Sequence, residues 1–228
     1  HLATVIPVDA VSNMGYASMR NNGAFELRFW NWIILNAARG SRQSRDPETA
    51  AVLKEMADNR MACLAARSKA EELGYAALVL ACEMGGNTAD AAMVHAAIAK
   101  EVLASGHPVC APACIISGGE TTVVVKGHGK GGRNQEFALV SAREISRAPG
   151  HIVVLSGGTD GTDGPTDAAG GMVDTLSSGR GRDKGLEIGA YLAANDSYHY
   201  LKATGDLLMT GPTRTNVMDI HIVLVEKA

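Results

Sequence analysis

Aromatic side chains are scarce, 4% of the 228 residues, and of the Phe and Trp residues all but Phe137 crowd into the first 46 positions as Phe25, Phe29, Trp30 and Trp32. A core built beyond that point must be aliphatic and alanine-based. An excess of basic charge is also missing: 21 Lys and Arg stand against 24 Asp and Glu, with a pI near 6.2. The positive field that general nucleic-acid binding needs is therefore absent. The four cysteines, at 63, 82, 110 and 114, form no Cys-x-x-Cys pair and have no His at metal-ligand spacing. They read as reduced, mostly buried thiols of a cytoplasmic protein. No apolar run approaches the ~20 residues of a spanning helix, and the start lacks a basic-then-apolar export pattern. Neither a membrane nor a nucleic acid is expected as a partner. The chain opens at His1 directly into an apolar run, residues 2–8, and reads as the interior of a longer protein.

What is present is glycine, 26 residues of it, and strands alternating with alanine-rich helices. Asp46, Pro47 and Glu48 look like a helix start, with residues 49–73 rich in helix formers and Gly74 as the stop. Residues 76–82 suit a strand buried on both faces, and residues 88–105 a helix ended by Gly106. Residues 113–117 and 121–126 read as two strands, 134–146 as a helix, and 152–155 as another buried strand. Residues 185–203 hold one or two short helices, 206–209 a short strand, and 217–225 a final strand. The alternation predicts an α/β layered, Rossmann-like fold with a mixed, partly parallel sheet. The expected domains are a remnant over 1–46, the main α/β domain over 47–217, and a last strand over 218–228.

Four loops carry polar chemistry that plain connectors do not need. The first, Gly118, Gly119, Glu120, Thr121 and Thr122, lets backbone N–H groups approach a ligand, or makes a hairpin turn. The second runs from Gly127 through Lys130, Gly131, Gly132 and Arg133 into Asn134, Gln135 and Glu136. It opens a helix whose first-turn N–H groups favour an anion, with two cations beside them. Its spacing matches neither a P-loop nor a dinucleotide fingerprint. Arg133 suits bidentate binding of phosphate, whereas Asn134 and Gln135 could serve only as caps. The third, residues 156–171, follows a strand end and carries Asp160, Asp163 and Asp167, which could hold Mg²⁺, bind substrate hydroxyls or close Asp-Gly turns. Their spacing is not that of an EF-hand. The fourth joins Asn195 and Asp196 with residues 210–216, including Thr213, Arg214 and Asn216; its bland alternative is a polar connection.

In order and spacing, Gly118–Thr122, the run Gly129 to Glu136, Gly158 to Gly170, Asn195 to Tyr198 and Thr210 to Asp219 resemble the glycerate 2-kinase family with its MOFRL C-terminal domain, over roughly residues 58–228. The resemblance implies a two-domain α/β enzyme, with its active site in the interdomain cleft, that transfers a phosphoryl group from ATP to glycerate with Mg²⁺. It implies that this chain holds most of the second domain and that its last strand returns to the first domain's sheet. The first domain, with its catalytic Lys and Ser-Gly-Gly-Gly loop, lies largely outside it. Arg133 matches the family's catalytic Arg. Gly118, Gly119, Glu120, Thr121, Lys130, Gly131, Gly132, Asn134, Glu136, Asp160, Asp163, Asp167, Asn195, Asp196, Thr213 and Asn216 are the expected substrate- or nucleotide-binding positions, with no metal ligand singled out.

Three departures stand out. Residues 10–46 lack the family's Asp-Val-x-Gly-Asp and Ser-Gly-Pro-Thr segments, Gly85 to Thr88 replace a usual Gly-Glu-Ala, and Arg214 replaces a usual Gly. The family's other label, hydroxypyruvate reductase, would require a dinucleotide fingerprint and a catalytic His paired with an acid, and the motifs supply neither. A non-catalytic, anion-binding module is the second alternative, and self-association as a homodimer is left open.

Overall fold

The computed structural model describes residues 58–227. The expected remnant domain, its aromatic cluster and the helix start at Asp46 lie outside the described residues. The first described helix, α1 (Asn59–Glu72), is capped by Asp58, whose backbone is extended and whose carboxylate accepts from the Met61 N–H at 2.7 Å; of the helix expected over residues 49–73, the part before Asp58 lies outside the described residues. It is followed by β1 (Ala76–Met84), α2 (Thr88–Ser105), β2 (Ala113–Gly119), α3 (Arg133–Ile145) and β3 (His151–Gly158). Then come β4 (Gly170–Asp174), α4 (Ser177–Asp183), α5 (Ile188–Ala193), α6 (Ser197–Thr204), β5 (Leu207–Leu208) and β6 (Asp219–Glu226).

The strands form one mixed sheet in the order β1-β2-β6-β3-β4-β5, with β1 and β2 parallel and the remaining pairs antiparallel. Period-two alternation divides its two faces. Ile115, Val154, Val223 and Val225 pack against α2 and α3, with Ile188 of α5 and Leu201 of α6 in the same cluster. Cys114, Ile116, Ile222 and Leu224 pack against Ala62, Cys63, Ala66 and Ala70 of α1, whose spacing puts them on one helical stripe. Three of the four cysteines are buried, and Cys110 is exposed.

The final strand departs from expectation most. It runs between β2 and β3 in the middle of this sheet, not in the sheet of another domain, because its apolar alternation fits both core faces here. β1 is the outer strand and only partly covered among the described residues, with Leu80 38% exposed, so the reading of a strand buried on both faces is corrected. Residues 121–126 are not a strand: beyond an isolated bridge between Thr122 and Asn87 they have no regular pairing among the described residues, and Val125 is 74% exposed. Gly118 and Gly119 consequently close β2 instead of making a hairpin turn.

Two elements had no sequence signal. β4 begins with Gly170 and Gly171, which read as loop. A side chain at Gly171 would lie 2.7 Å from the Ala138 methyl, so small residues are needed where β4 meets α3. The small, polar α4 is anchored by Arg180, which pairs with Asp174 at 2.9 Å and Asp206 at 2.6 Å.

Candidate functional site

The four loops meet at one end of the sheet, beyond the carboxyl ends of β2 and β3 and at the amino end of β6. Asp219, the first residue of β6, sits opposite Gly119 on one side and Gly158 on the other. Its carboxylate is fully buried and receives Arg133 edge-on, Nε at 2.5 Å and Nη2 at 3.1 Å. The same Nη2 lies 2.7 Å from Glu120, which is 54% exposed. The hydrogen bond to Asp219 raises the Arg133 pKa further, so the guanidinium is permanently charged. Nη1 has no hydrogen-bond partner among the described residues, and the side chain is 35% exposed.

The first turn of α3 is not an open anion cradle. Gly132 has no side chain to cap the helix, and Asp163 from the third loop caps it instead, accepting the Asn134 N–H at 3.0 Å and the Gln135 N–H at 2.9 Å. Burial pushes the Asp163 carboxyl up to about 6, against the pull of those N–H groups. With Glu120, Asp163 and Asp219 around one Arg133, the acids outnumber the guanidinium, which is fixed by Asp219 and paired more loosely with the half-exposed Glu120.

Below this lies a buried polar chain that the sequence reading did not single out. Ser156 donates to Asn134 Oδ1 at 2.6 Å, so its oxygen must accept from His221 Nδ1–H at 2.8 Å. That fixes the His221 tautomer and leaves Nε2 buried without a hydrogen-bond partner among the described residues, the ring stacked 4.3 Å from Phe137. Burial drives the His221 pKa down to about 3. His95 is held likewise, its Nδ1 2.7 Å from the Ala91 carbonyl and its Nε2 2.7 Å from Ser117. Asp219 and His221 had one legible signal: two polar residues at alternate positions in an otherwise apolar run.

Asp163 and His221 predict opposed pH effects. A carboxyl raised from 3.8 to about 6 adds stability that is complete below 3.8 and is lost as pH rises through 6. An imidazole lowered from 6.5 to about 3 adds stability that is complete above 6.5 and is lost as pH falls towards 3. Between pH 4 and 6 the two slopes oppose each other, each about 1.4 kcal/mol per pH unit. Asp163→Asn is therefore expected to make the stability of the chain rise more steeply with pH than wild type over that window, by about that amount per unit. Urea unfolding at pH 4, 5 and 6 reads the slope directly, and identical slopes for the two proteins would refute it.

Other predicted site residues serve contacts between loops. Asn195 accepts from the N–H groups of Lys126 and Gly127 at 2.7 and 2.9 Å and donates to Glu136 at 3.2 Å. Asp196 accepts the Lys130 N–H at 2.9 Å, and Lys130 Nζ lies 4.4 Å over the Tyr198 ring, whose hydroxyl donates to Asp167 at 2.8 Å. The buried Thr121 hydroxyl meets Thr88 at 2.9 Å. Asn216 accepts the Met218 N–H at 3.0 Å. Thr213 N donates to the Asp160 carbonyl at 3.1 Å, closing the fourth loop on the third. Gly118 sits against Asn59, and the Gly131 carbonyl lies 2.6 Å from where a side chain on Gly164 would begin.

Residues 113–219 match the MOFRL family. The chain is 43% identical over 171 residues to the glycerate 2-kinase of Pyrococcus horikoshii, covering 75% of this chain and 38% of that protein. It is 41% identical over 189 residues to a putative hydroxypyruvate reductase of Agrobacterium vitis, covering 82% and 43%. The crystal structure of glycerate kinase from Thermotoga maritima superposes with a TM-score of 0.73 at 38% identity, over 80% of this chain and 47% of that one. The chain thus spans less than half the length of these relatives. These likenesses make residues 113–219 similar to the MOFRL family and the chain similar to part of the glycerate kinases, with the four loops converging on Arg133 and Asp219.

Proposed function

We propose that this chain forms one wall of a glycerate kinase active site and that Arg133 is the catalytic group it contributes. The observation that supports the reading is the seating of Arg133: a fully buried carboxylate holds its Nε and Nη2 edge, while Nη1 remains without a partner among the described residues at the solvent-facing end of the sheet. Phosphoryl transfer asks the protein chiefly to position groups and to neutralise charge on the moving phosphoryl. A guanidinium fixed from behind by Asp219 meets the phosphoryl oxygens with little reorganisation. Glu120 is the displaceable occupant, since a half-exposed ion pair is worth only about 0–1 kcal/mol, and a doubly charged phosphate can take its place.

ATP is the proposed phosphoryl donor and glycerate the acceptor. Among the described residues no three His, Cys, Asp or Glu gather to cage a cation. Mg²⁺ in such reactions needs only one or two carboxylates besides phosphate oxygens, and Glu120 and Asp160, both reached by solvent, fit that requirement. When bound, Mg²⁺ would supply charge neutralisation between the phosphates. A second domain would supply the opposite wall of the site.

The test is to incubate the full natural chain containing these residues with ATP, Mg²⁺ and glycerate and to follow ADP and phosphoglycerate. Formation of both is expected, with no change in nicotinamide absorbance when NADH and hydroxypyruvate are offered. A nicotinamide-dependent reaction without ADP formation would transfer the reading to the reductase label.

A further inference from the structure

We infer that Thr159 and Asn59 are positioning residues, which hold a left-handed turn at Met218 from opposite sides and so aim Asp219 at Arg133. The inference rests on the proposed role of Arg133.

Met218 immediately precedes Asp219 and has φ +67, shared among the described non-glycine residues only with Asn195 and Arg214 in sign. A residue with a side chain stays in that region only where its surroundings over-determine it. Here they do. Thr159 N–H and Oγ–H both donate to the Met218 carbonyl, at 3.1 and 2.7 Å, and Thr159 Oγ accepts the Val217 N–H at 2.8 Å. From the α1 side, Asn59 Nδ2 donates to the carbonyls of Val217 at 2.7 Å and Asp219 at 2.8 Å. The carbonyls of residues 217, 218 and 219 are thus all fixed by two side chains distant in sequence.

Asn59 is poorly explained as a helix residue alone. Asp58 performs the capping of α1, while Asn59 is 2% exposed and turned towards β6. Space is kept for it: a side chain on Gly118 would begin 1.9 Å from Asn59 Oδ1. Were Met218 to relax to negative φ, the Asp219 side chain would leave the line of the guanidinium, and the buried pair would open on its only rigid side.

The test separates positioning from bulk stability. Thr159→Val keeps the volume and removes both hydroxyl bonds; Thr159→Ser keeps both. The Nε–H signal of Arg133, assigned by its loss in Arg133→Lys, is followed by NMR in the 228-residue chain. Wild type and Thr159→Ser are expected to show slow exchange with water, and Thr159→Val exchange at least about tenfold faster, with the backbone amides of Leu139 and Val223 unchanged. In the full natural chain, kcat should fall about tenfold or more in Thr159→Val, with KM values within about twofold, and Thr159→Ser should restore it.

Asn59→Ala, with the same expected signature, carries the test if Thr159→Val does not fold. Unchanged Nε–H protection in the folded variants would overturn the inference, as would equal losses in Thr159→Val and Thr159→Ser. A wild type without glycerate kinase activity but with the expected exchange pattern would sink the proposed function and leave the positioning intact.

Discussion

Arg133→Ala in the full natural chain is expected to lower phosphoryl-transfer turnover about 10³-fold, the scale of an arginine that neutralises a transferring phosphoryl group. It should also destabilise the fold, because Asp219 has no exposed surface and would be left buried without its counterion. Removing one partner of a buried pair costs about 3–5 kcal/mol, and the solvent reaching Arg133 places the expected loss at the lower end. The two effects come apart in the double variant Arg133→Ala with Asp219→Asn. Stability should return in large part, since no uncompensated charge remains, while turnover stays low. Arg133→Lys should retain more stability than alanine yet recover little turnover, because an ammonium cannot engage Asp219 along one edge and present a second N–H pair outward. Steady-state kinetics with urea unfolding of each variant checks both limbs. Turnover unchanged in Arg133→Ala would remove the residue from the mechanism.

The second large effect is on the backbone. Gly119 has φ +136 and lies so close to β1 that a side chain would begin 2.2 Å from Met84 N and 2.3 Å from its carbonyl oxygen. Gly161 has φ +87, and a side chain there would begin 2.0 Å from the Gly211 carbonyl oxygen. Alanine at either position combines conformational strain with displacement of backbone that cannot rotate aside. An expected destabilisation of about 4 kcal/mol follows from adding the two contributions. Gly185→Ala is the control: its φ is +71, but nothing lies within 4 Å, so only about 1–2 kcal/mol of strain is expected. Equal unfolding midpoints for Gly119→Ala and Gly185→Ala would show that the close approach to Met84 is unimportant.

Long periodic segments were legible in the sequence, and close packing was not. The helix ended by Gly106, the strand before the third loop and the helix opened by Arg133 each announce themselves by composition, and the first also by its residues at either end, Asn87 and Gly106. β4 was missed because its two glycines signal a loop locally and are required by the neighbouring α3 only in three dimensions. The site divides in the same way. Glycine-rich loops with Arg133 among them point to an anion, but nothing local says that Asp163 will cap α3 or that Asp219 will lie behind the guanidinium. These partners stand 29 and 86 positions away. Sign of charge, read loop by loop, misleads for that reason: the cations are visible in one motif, and the acids that answer Arg133 are distributed over three other segments.

The place of β6 bears on how the protein is made. Its residues are the last of the sheet to leave the ribosome, yet they join β2 to β3, whose facing edges both wait for them: Val225 lies beside Ala113 and beside Ile152. Until then two apolar strands present open backbone edges, the condition that invites pairing with other chains. The nascent protein is therefore most prone to aggregate just before synthesis of β6 ends, and a chaperone that shields strand edges should raise its yield more than one that accelerates helix formation.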